Sequence, residues 1–181
     1  MVPANFHIAV VDRSSDKILR NLFEHYLHDM AEWFEFDSHP DGRYAYDTEP
    51  IWSAGVRVYF AYAGTIPIGF ALVGSAEKWL GNIDAYDLEE FFVVRRYRRH
   101  GVGKVLAQHV WGSHRGEWLV RVYQGNVPAL PFWRSTIASY AANSHCEKDH
   151  RVEGNLWSYF TFNNEKPSEY SAVNPMAKGG P

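Results

Sequence analysis

Two spacings of apolar residues alternate along the chain, and together they predict an α/β fold. Apolar residues two positions apart, as in Phe6, Ile8 and Val10, indicate strands. Spacings of three and four, as over residues 18–30, indicate an amphipathic helix. The predicted order is strand, helix, loop, three strands, helix, strand, helix and two final strands. Such an order predicts a sheet of mixed sense that is covered by helices.

Glycine and proline residues mark where the regular patterns stop. Residues 36–53 keep no period and contain two prolines and a glycine, so we expect a loop with one short helix. The dipeptide Gly154-Asn155 predicts the tight turn of a final hairpin. We expect one domain over residues 1–163 and a flexible C-terminal tail over residues 164–181.

Composition narrows the class of protein. The chain has 181 residues, of which 46% are hydrophobic and 22% are charged, which is typical of a globular protein and not of a disordered one. No apolar run approaches the roughly 20 residues that a membrane-spanning helix needs. The N-terminus lacks the basic and apolar regions of a secretory signal, and the one cysteine, Cys146, cannot form an internal disulfide. We therefore expect a cytoplasmic protein without a membrane partner.

A strand that leads into a glycine-containing helix start carries the main chemical signal. Gly101 and Gly103 lie where the helix is expected to begin. Backbone amides converge at such a turn and the helix dipole adds partial positive charge, so the turn favours phosphate. Arg98, Arg99 and Lys104 add cationic side chains. The spacing matches neither the dinucleotide-binding fingerprint nor a nucleotide P-loop.

The arginines before this turn could also be interpreted as a nucleic-acid patch. The cluster is Arg95, Arg96, Arg98 and Arg99. Its position on the glycine turn favours the phosphate of a cofactor, and a net charge of −3 argues against a surface built to attract nucleic acid. We therefore expect no nucleic-acid partner. The sequence leaves the oligomeric state open, a homodimer included.

Two motifs resemble those of the GNAT acetyltransferases. Residues 98–103, Arg-Arg-His-Gly-Val-Gly, are similar to the family's [RQ]-x-x-G-x-[GA] loop, and residues 126–133 are similar to its N-x-x-A-x-x-F-Y segment. The strand residues 88–93, together with Tyr97, resemble those of spermidine/spermine acetyltransferases. The resemblance implies a GNAT fold, in which a mixed and mostly antiparallel sheet is splayed between strands four and five and flanked by helices.

The resemblance also implies acetyl-CoA as co-substrate. We expect no metal ion, because the sequence holds no metal-ligand pattern such as H-E-x-x-H. The pantetheine arm would enter the gap between the splayed strands, and a strand-four amide would polarise the thioester carbonyl. The implied contacts are Phe91, Phe92 and Val93 on the strand, Arg98, Arg99, His100, Gly101, Val102, Gly103 and Lys104 at the pyrophosphate, and Asn126 and Trp133 near the sulfur.

The implied activity is N-acetyl transfer by direct attack of an amine in a ternary complex. An amine is protonated at neutral pH, so the reaction needs a base. Glu89 is the first candidate. Glu90 completes the acidic pair that resembles that of the polyamine-acetylating relatives, and Asp87 stands where histone acetyltransferases have their catalytic glutamate. Strict alternation along the strand predicts one face with Asp87, Glu89, Phe91 and Val93 and an opposite face with Leu88, Glu90 and Phe92.

The proton donor to the leaving thiolate is a departure from the family pattern. Trp133 stands where many members have a tyrosine, and an indole is a poor acid. Tyr123, Tyr140 or water would take this role, with Tyr123 as the candidate residue. The same departure keeps a second interpretation open, a non-catalytic module that binds acyl-CoA and regulates.

An acidic, aromatic loop suggests the acceptor. Residues 32–49 interleave acids with aromatic residues and contain a single arginine. This composition suits a cationic acceptor, a small-molecule or peptide amine. The alternative is a solvated acidic loop whose aromatic residues pack inward.

Overall fold

The computed structural model describes residues 1–142 and 144–165. Its strands are β1 (Phe6–Val11), β2 (Arg57–Ala63), β3 (Ile66–Ser75), β4 (Tyr86–Val93), β5 (Glu117–Tyr123), β6 (His145–Val152) and β7 (Asn155–Asn163). Its helices are α1 (Asp16–Met30), α2 (Glu49–Ser53), α3 (Glu77–Leu80), α4 (Val102–Ser113) and α5 (Ala129–Tyr140). Among these residues no helix combines the length and apolarity needed to cross a membrane.

One seven-stranded sheet organises the molecule in the order β1-β2-β3-β4-β5-β7-β6. Only β4 and β5 pair in parallel, and the other neighbours are antiparallel. The parallel pairing starts at Tyr86 and Trp118 and ends at Leu88 and Val120. Beyond these pairs the two strands separate. The predicted mixed, mostly antiparallel sheet with a splay between strands four and five is therefore confirmed.

Apolar residues cover both faces of the sheet. On one face, α4 and α5 bury a cluster that includes Trp111 and Trp118. On the other face, α1 packs its stripe of Leu19, Leu22 and Phe23 against β2 and β3. Because each helix is apolar on one side only, the sheet is sandwiched between helical layers.

Three local features differ from or extend the sequence-based expectations. The short helix α3 was not predicted, because four residues are too few to show a period. The final turn is centred one residue earlier than predicted, with positive φ angles of 50° at Glu153 and 83° at Gly154. Asn164 donates its side-chain amide to the carbonyl of Trp111 at 2.5 Å and to that of His114 at 2.7 Å, so the anchored chain continues past residue 163. Most of the predicted tail, residues 166–181, lies outside the described residues.

Candidate active site

A β-bulge at Glu89 decides which side chains of β4 share a face. Leu72 of β3 lies opposite Glu90 and Val73 lies opposite Leu88, so Glu89 is the extra residue of the bulge. The carboxylate of Glu89 occupies the space where a Cβ atom of Gly74 would lie. Because Gly74 pairs with Asp87, whose side chain shares that face, Glu89 lies on the same face as Asp87.

The bulge makes the predicted alternation wrong. Leu88 and Val93 belong to the cluster under α4, and Phe91 packs against it. Phe92 belongs to the cluster under α1, and Glu90 accepts a hydrogen bond from Tyr26 of that helix. The carboxylates at positions 87, 89 and 90 therefore share the α1 side of the sheet.

Asp87 is a buried ion-pair partner. The guanidinium of Arg121 on β5 donates to its Oδ2 from Nε at 3.0 Å and from Nη2 at 2.7 Å. The same guanidinium lies 4.4 Å from the ring centroid of Trp79 on α3. Burial raises the pKa of Asp87 and the charge of Arg121 opposes that shift. Asp87 therefore ties β4 to β5 at the start of the splay and is not open to the cleft.

Glu89 and Glu90 differ from Asp87, because no arginine of the described residues contacts their carboxylates. Burial raises the pKa of Glu90 to about 7, although the hydrogen bond from Tyr26 acts in the opposite direction. Burial also raises the pKa of Glu89, and the nearby charge of Asp87 adds to the shift. Of the carboxyls of β4, Glu90 therefore has a pKa near neutral pH, and Glu89 has a pKa that burial raises.

A cleft of about 280 Å³ opens where β4 and β5 separate. Its floor and walls come from α1, the following loop, β4, β5, the start of α5 and β7. The lining residues are Tyr26, Leu27, Met30, Phe34, Phe36, Tyr46, Leu88, Glu89, Glu90, Phe91, Val120, Arg121, Val122, Tyr123, Asn126, Ala129, Trp133 and Trp157. The cleft thus brings the predicted base candidates together with the predicted sulfur-end residues.

The acidic, aromatic loop contributes its rings and not its charges. Phe34, Phe36 and Tyr46 line the cleft, whereas the loop's carboxylates are absent from the lining. Asp41 instead pairs with a neighbouring arginine at 2.6 Å, and Asp47 accepts the amide that starts α2 at 3.0 Å. The carboxylates that line the cleft therefore come from β4, and a contact between the loop's acids and the acceptor stays a prediction.

The backbone of β4 is open to the gap at alternate residues. Val94 donates its amide to a carbonyl of β3 at 2.9 Å, and the carbonyl of Phe92 lies against Gly69 of the same strand. Because backbone groups alternate along an antiparallel strand, Phe91 and Val93 direct their amides away from β3. The predicted pantetheine contacts at 91 and 93 fit this arrangement, whereas Phe92 is directed to β3 and to the core.

Arg98 fastens the glycine turn to the rest of the fold. Its Nε donates to the carbonyl of Val93 at 2.6 Å, and its Nη2 pairs with Asp29 on α1. Arg95 donates to the other oxygen of Asp29 at 2.8 Å. These contacts hold the side chain of Arg98 and fix the turn in place, and its contact with a phosphate stays a prediction.

The turn itself presents backbone donors. Positive φ angles of 63° at Arg99 and 86° at Gly101 reverse the chain before α4. In the described part of the chain, the amides of residues 99–104 donate to no backbone carbonyl. A Cβ atom on Gly103 would lie 3.1 Å from the Phe132 ring, so this glycine also permits close packing of α4 on α5. The free amides fit an anion such as a diphosphate.

Three further residues were predicted to contact the phosphate, and each has a different environment in the structure. His100 donates from Nδ1 to the carbonyl of Arg98 at 2.7 Å, which stabilises the turn. Lys104 donates to the hydroxyl of Ser139 on α5 at 3.0 Å and is exposed. Val102 buries its side chain in the core, so only its backbone can face a ligand.

The predicted sulfur end lies within the cleft. Trp133, Asn126 and Tyr123 are all lining residues. Tyr140 packs on Trp111 with ring centroids 5.1 Å apart and is not among the lining residues, so the structure separates it from the site. Tyr123 is the predicted acid candidate that the structure brings to the cleft.

Three residues of the site escaped sequence reasoning: Tyr26, Asp29 and Arg121. Tyr26 and Asp29 are 64 and 66 residues from the groups they bind, Glu90 and Arg95, so no local pattern could reveal those contacts. Arg121 did carry a signal, because it is the lone charge in the buried strand Trp-Leu-Val-Arg-Val-Tyr and buried charges are almost always paired.

Comparison with protein families gives a match over most of the chain. The model of the Acetyltransferase (GNAT) family matches residues 23–136. A search of curated proteins found no significant match.

Solved structures with the same fold are numerous and distant in sequence. The yncA protein of Salmonella typhimurium, solved with acetyl-CoA, has a TM-score of 0.62 at 14% identity, over 93% of this chain and 99% of that chain. A spermidine N-acetyltransferase of Vibrio cholerae, solved with CoA and spermine, has a TM-score of 0.60 at 12% identity, over 88% and 96%. A ribosomal-protein-alanine N-acetyltransferase of Brucella melitensis has a TM-score of 0.59 at 15% identity, over 87% and 99%. At such identities the likeness establishes the shared fold.

Proposed function

Because the chain belongs to the acetyltransferase (GNAT) family, we propose that it transfers the acetyl group of acetyl-CoA to an amine by direct attack in a ternary complex. One observation carries this proposal. The pairing of β4 with β5 ends at Leu88 and Val120, and the gap beyond it holds open strand backbone and the carboxylates of Glu89 and Glu90. A donor and an acceptor can therefore meet in one cleft.

The donor site combines the turn and the gap. The free amides of residues 99–104 would bind the pyrophosphate at the start of α4. The amides of Phe91 and Val93 would pair with the pantetheine arm, as an added strand does. The amide of Val93 would also stabilise the negative charge that develops on the thioester oxygen. The acetyl-CoA and CoA seen in the Salmonella and Vibrio structures support this assignment.

The acceptor must lose a proton before it attacks. An alkylamine has a pKa near 10, so it arrives as an ammonium ion. Glu89 has no side-chain donor among the described residues and would accept that proton, while Glu90 stays bound to Tyr26 and attracts the cation. The C–N bond then forms and the C–S bond breaks. Tyr123 would protonate the departing thiolate, and the second proton that the nitrogen loses as it becomes an amide would restore Tyr123.

Thiol release with a panel of amines tests the transfer. Glu89→Gln is expected to lower kcat/KM about 100-fold or more, because removal of a general base has this effect. The calorimetric affinity for CoA should stay unchanged. Glu35→Gln, on an exposed acid outside the cleft, is the control. Equal loss in both variants would contradict the assignment of the base.

The second candidate function is a non-catalytic acyl-CoA-binding module. Trp133 favours it, because this residue replaces the tyrosine that many relatives use as the acid. Tight CoA binding without thiol release for any amine in the panel would support this candidate and refute the transfer.

A further inference from the structure

The charges inside the cleft set a limit on the acceptor. The charged lining residues are Glu89, Glu90 and Arg121. The guanidinium of Arg121 is already paired with Asp87. The cleft therefore offers one local pair of carboxyls on adjacent residues, and none at a distance from it. Such a pair can compensate one ammonium group, and the described lining residues hold no second carboxylate site for another ammonium.

An aromatic wall lines another part of the same cleft. It consists of Phe34 from the loop after α1, Tyr123 from the end of β5 and Trp157 from β7. The ring centroids are 4.7 Å apart for Phe34 and Tyr123, 6.2 Å for Phe34 and Trp157, and 5.5 Å for Tyr123 and Trp157. Three elements that are distant in sequence thus bring their rings into one continuous apolar surface.

The backbone fixes two members of this wall. The amide of Phe34 donates to the carbonyl of Met30 at 3.1 Å, so the ring follows directly from the last turn of α1. The ring of Tyr123 lies against Gly125, where any Cβ atom would overlap it. A preformed wall of this kind binds planar groups without a large cost of ordering side chains.

We propose that the acceptor is a compact primary amine that carries one positive charge and an aromatic body, such as an arylalkylamine. The ammonium group would meet the Glu89–Glu90 pair and the ring would pack on the wall of Phe34, Tyr123 and Trp157. The inference rests on the acetyl transfer proposed above.

Four amines separate the two parts of this inference. With acetyl-CoA and the full chain, kcat/KM is measured by thiol release for 2-phenylethylamine, n-butylamine, 1,4-diaminobutane and spermidine. Butylamine and diaminobutane differ by one charged group, and we expect the diamine to be slower on the order of 100-fold because of its second, uncompensated charge. We expect phenylethylamine to exceed butylamine about tenfold, from ring packing.

Phe34→Leu tests the wall directly. The substitution keeps an apolar side chain and removes the ring, so KM for 2-phenylethylamine should rise about tenfold while KM for butylamine changes less than about threefold. Trp33→Leu, on the neighbouring residue that does not line the cleft, is the control. Calorimetry of 2-phenylethylamine and diaminobutane in the presence of CoA gives the same comparison independently of turnover.

The outcomes distinguish this inference from the function on which it rests. If spermidine or diaminobutane equals or exceeds phenylethylamine, or if Phe34→Leu affects both monoamines alike, the acceptor class is wrong and the transfer stands. If a short peptide with a free N-terminus, added as a fifth acceptor, exceeds phenylethylamine, the compact acceptor is likewise wrong. If no amine releases thiol although CoA binds, the transfer fails, and the acceptor class fails with it.

Discussion

The structure holds two kinds of carboxylate close to one another, and they differ in their partners. Asp29 on α1 and Asp87 on β4 each meet arginine, whereas Glu89 and Glu90 meet none. The aspartates tie elements together: α1 to the glycine turn, and β4 to β5. The glutamates keep raised pKa values and face the cleft. The comparison shows that a paired carboxylate holds the scaffold and that an unpaired one is left for protons and cations.

The largest expected effect comes from removing the arginine of Asp87. Arg121→Ala leaves a charge buried without its partner, so we expect the free energy of unfolding to fall by about 3–5 kcal/mol in chemical denaturation. The double variant Asp87→Asn with Arg121→Ala should recover part of this loss. A loss below about 1 kcal/mol, the value typical of exposed pairs, would show that the ion pair of Asp87 does not hold the scaffold together.

Loss of the ion pairs of Asp29 with Arg95 and Arg98 should weaken the binding of acetyl-CoA at the donor site. Asp29→Asn weakens two charge-assisted bonds to the turn, each worth about 1.5–3 kcal/mol, so KM for acetyl-CoA should rise on the order of tenfold with a smaller change in kcat. Asp41→Asn, which alters an exposed pair, is the matched control. An unchanged KM for acetyl-CoA would show that these ion pairs of Asp29 do not contribute to phosphate binding.

Removal of the Glu90 charge should raise the free energy of unfolding, whereas removal of Arg121 should lower it. Its pKa rises from an ordinary value near 4.5 to about 7 on folding, so its protonated form stabilises the fold. That contribution is complete below pH 4.5 and is lost as pH rises through about 7. Glu90→Gln should therefore raise the free energy of unfolding at pH 8 by at least about 1 kcal/mol relative to the parent.

A paired glutamate supplies the control for this sign. Arg134 lowers the pKa of Glu147 through a side-chain hydrogen bond, so Glu147→Gln should lower stability at the same pH. If both variants shift stability in the same direction, the distinction between paired and unpaired carboxylates is lost.

The smallest effect is expected from a single methyl group. Gly74→Ala places a Cβ where the Glu89 carboxylate lies, and that flexible side chain can move aside with little cost to folding. We expect kcat to fall about fivefold because a displaced base transfers protons less efficiently. In a Glu89→Gln background the same substitution should have no further effect on kcat. Additive losses would show that Gly74→Ala does not act through Glu89.

The order of the acidic pair and the glycine turn could be seen in the sequence, but the side of the sheet on which each side chain of β4 lies could not. The glycine turn and the acidic pair lie within sixteen consecutive residues, 89–104, so their order alone indicated a donor site and a base. The faces of β4 were predicted wrongly because a bulge depends on the partner strand, where Gly74 leaves room for Glu89. No single-strand pattern contains that information.

The loop after α1 shows the other limit of sequence reasoning. Its acids and rings alternate in the sequence, and composition alone cannot tell which of the two reach the cleft. The structure brings Phe34 and Tyr46 to the lining of the cleft and leaves Asp41 with a neighbouring arginine. Burial favours rings over charges, so the set that lines the cleft is the one that loses least on leaving water.

Helix α1 reaches both halves of the site within one turn. Tyr26 donates to Glu90, and Asp29, three residues later, holds the arginines of the glycine turn. A rigid helix transmits any displacement at one of these residues to the other. If CoA binding shifts α1, the affinity for the amine changes. Thermodynamic reciprocity then requires that the bound amine change the affinity for CoA by the same factor.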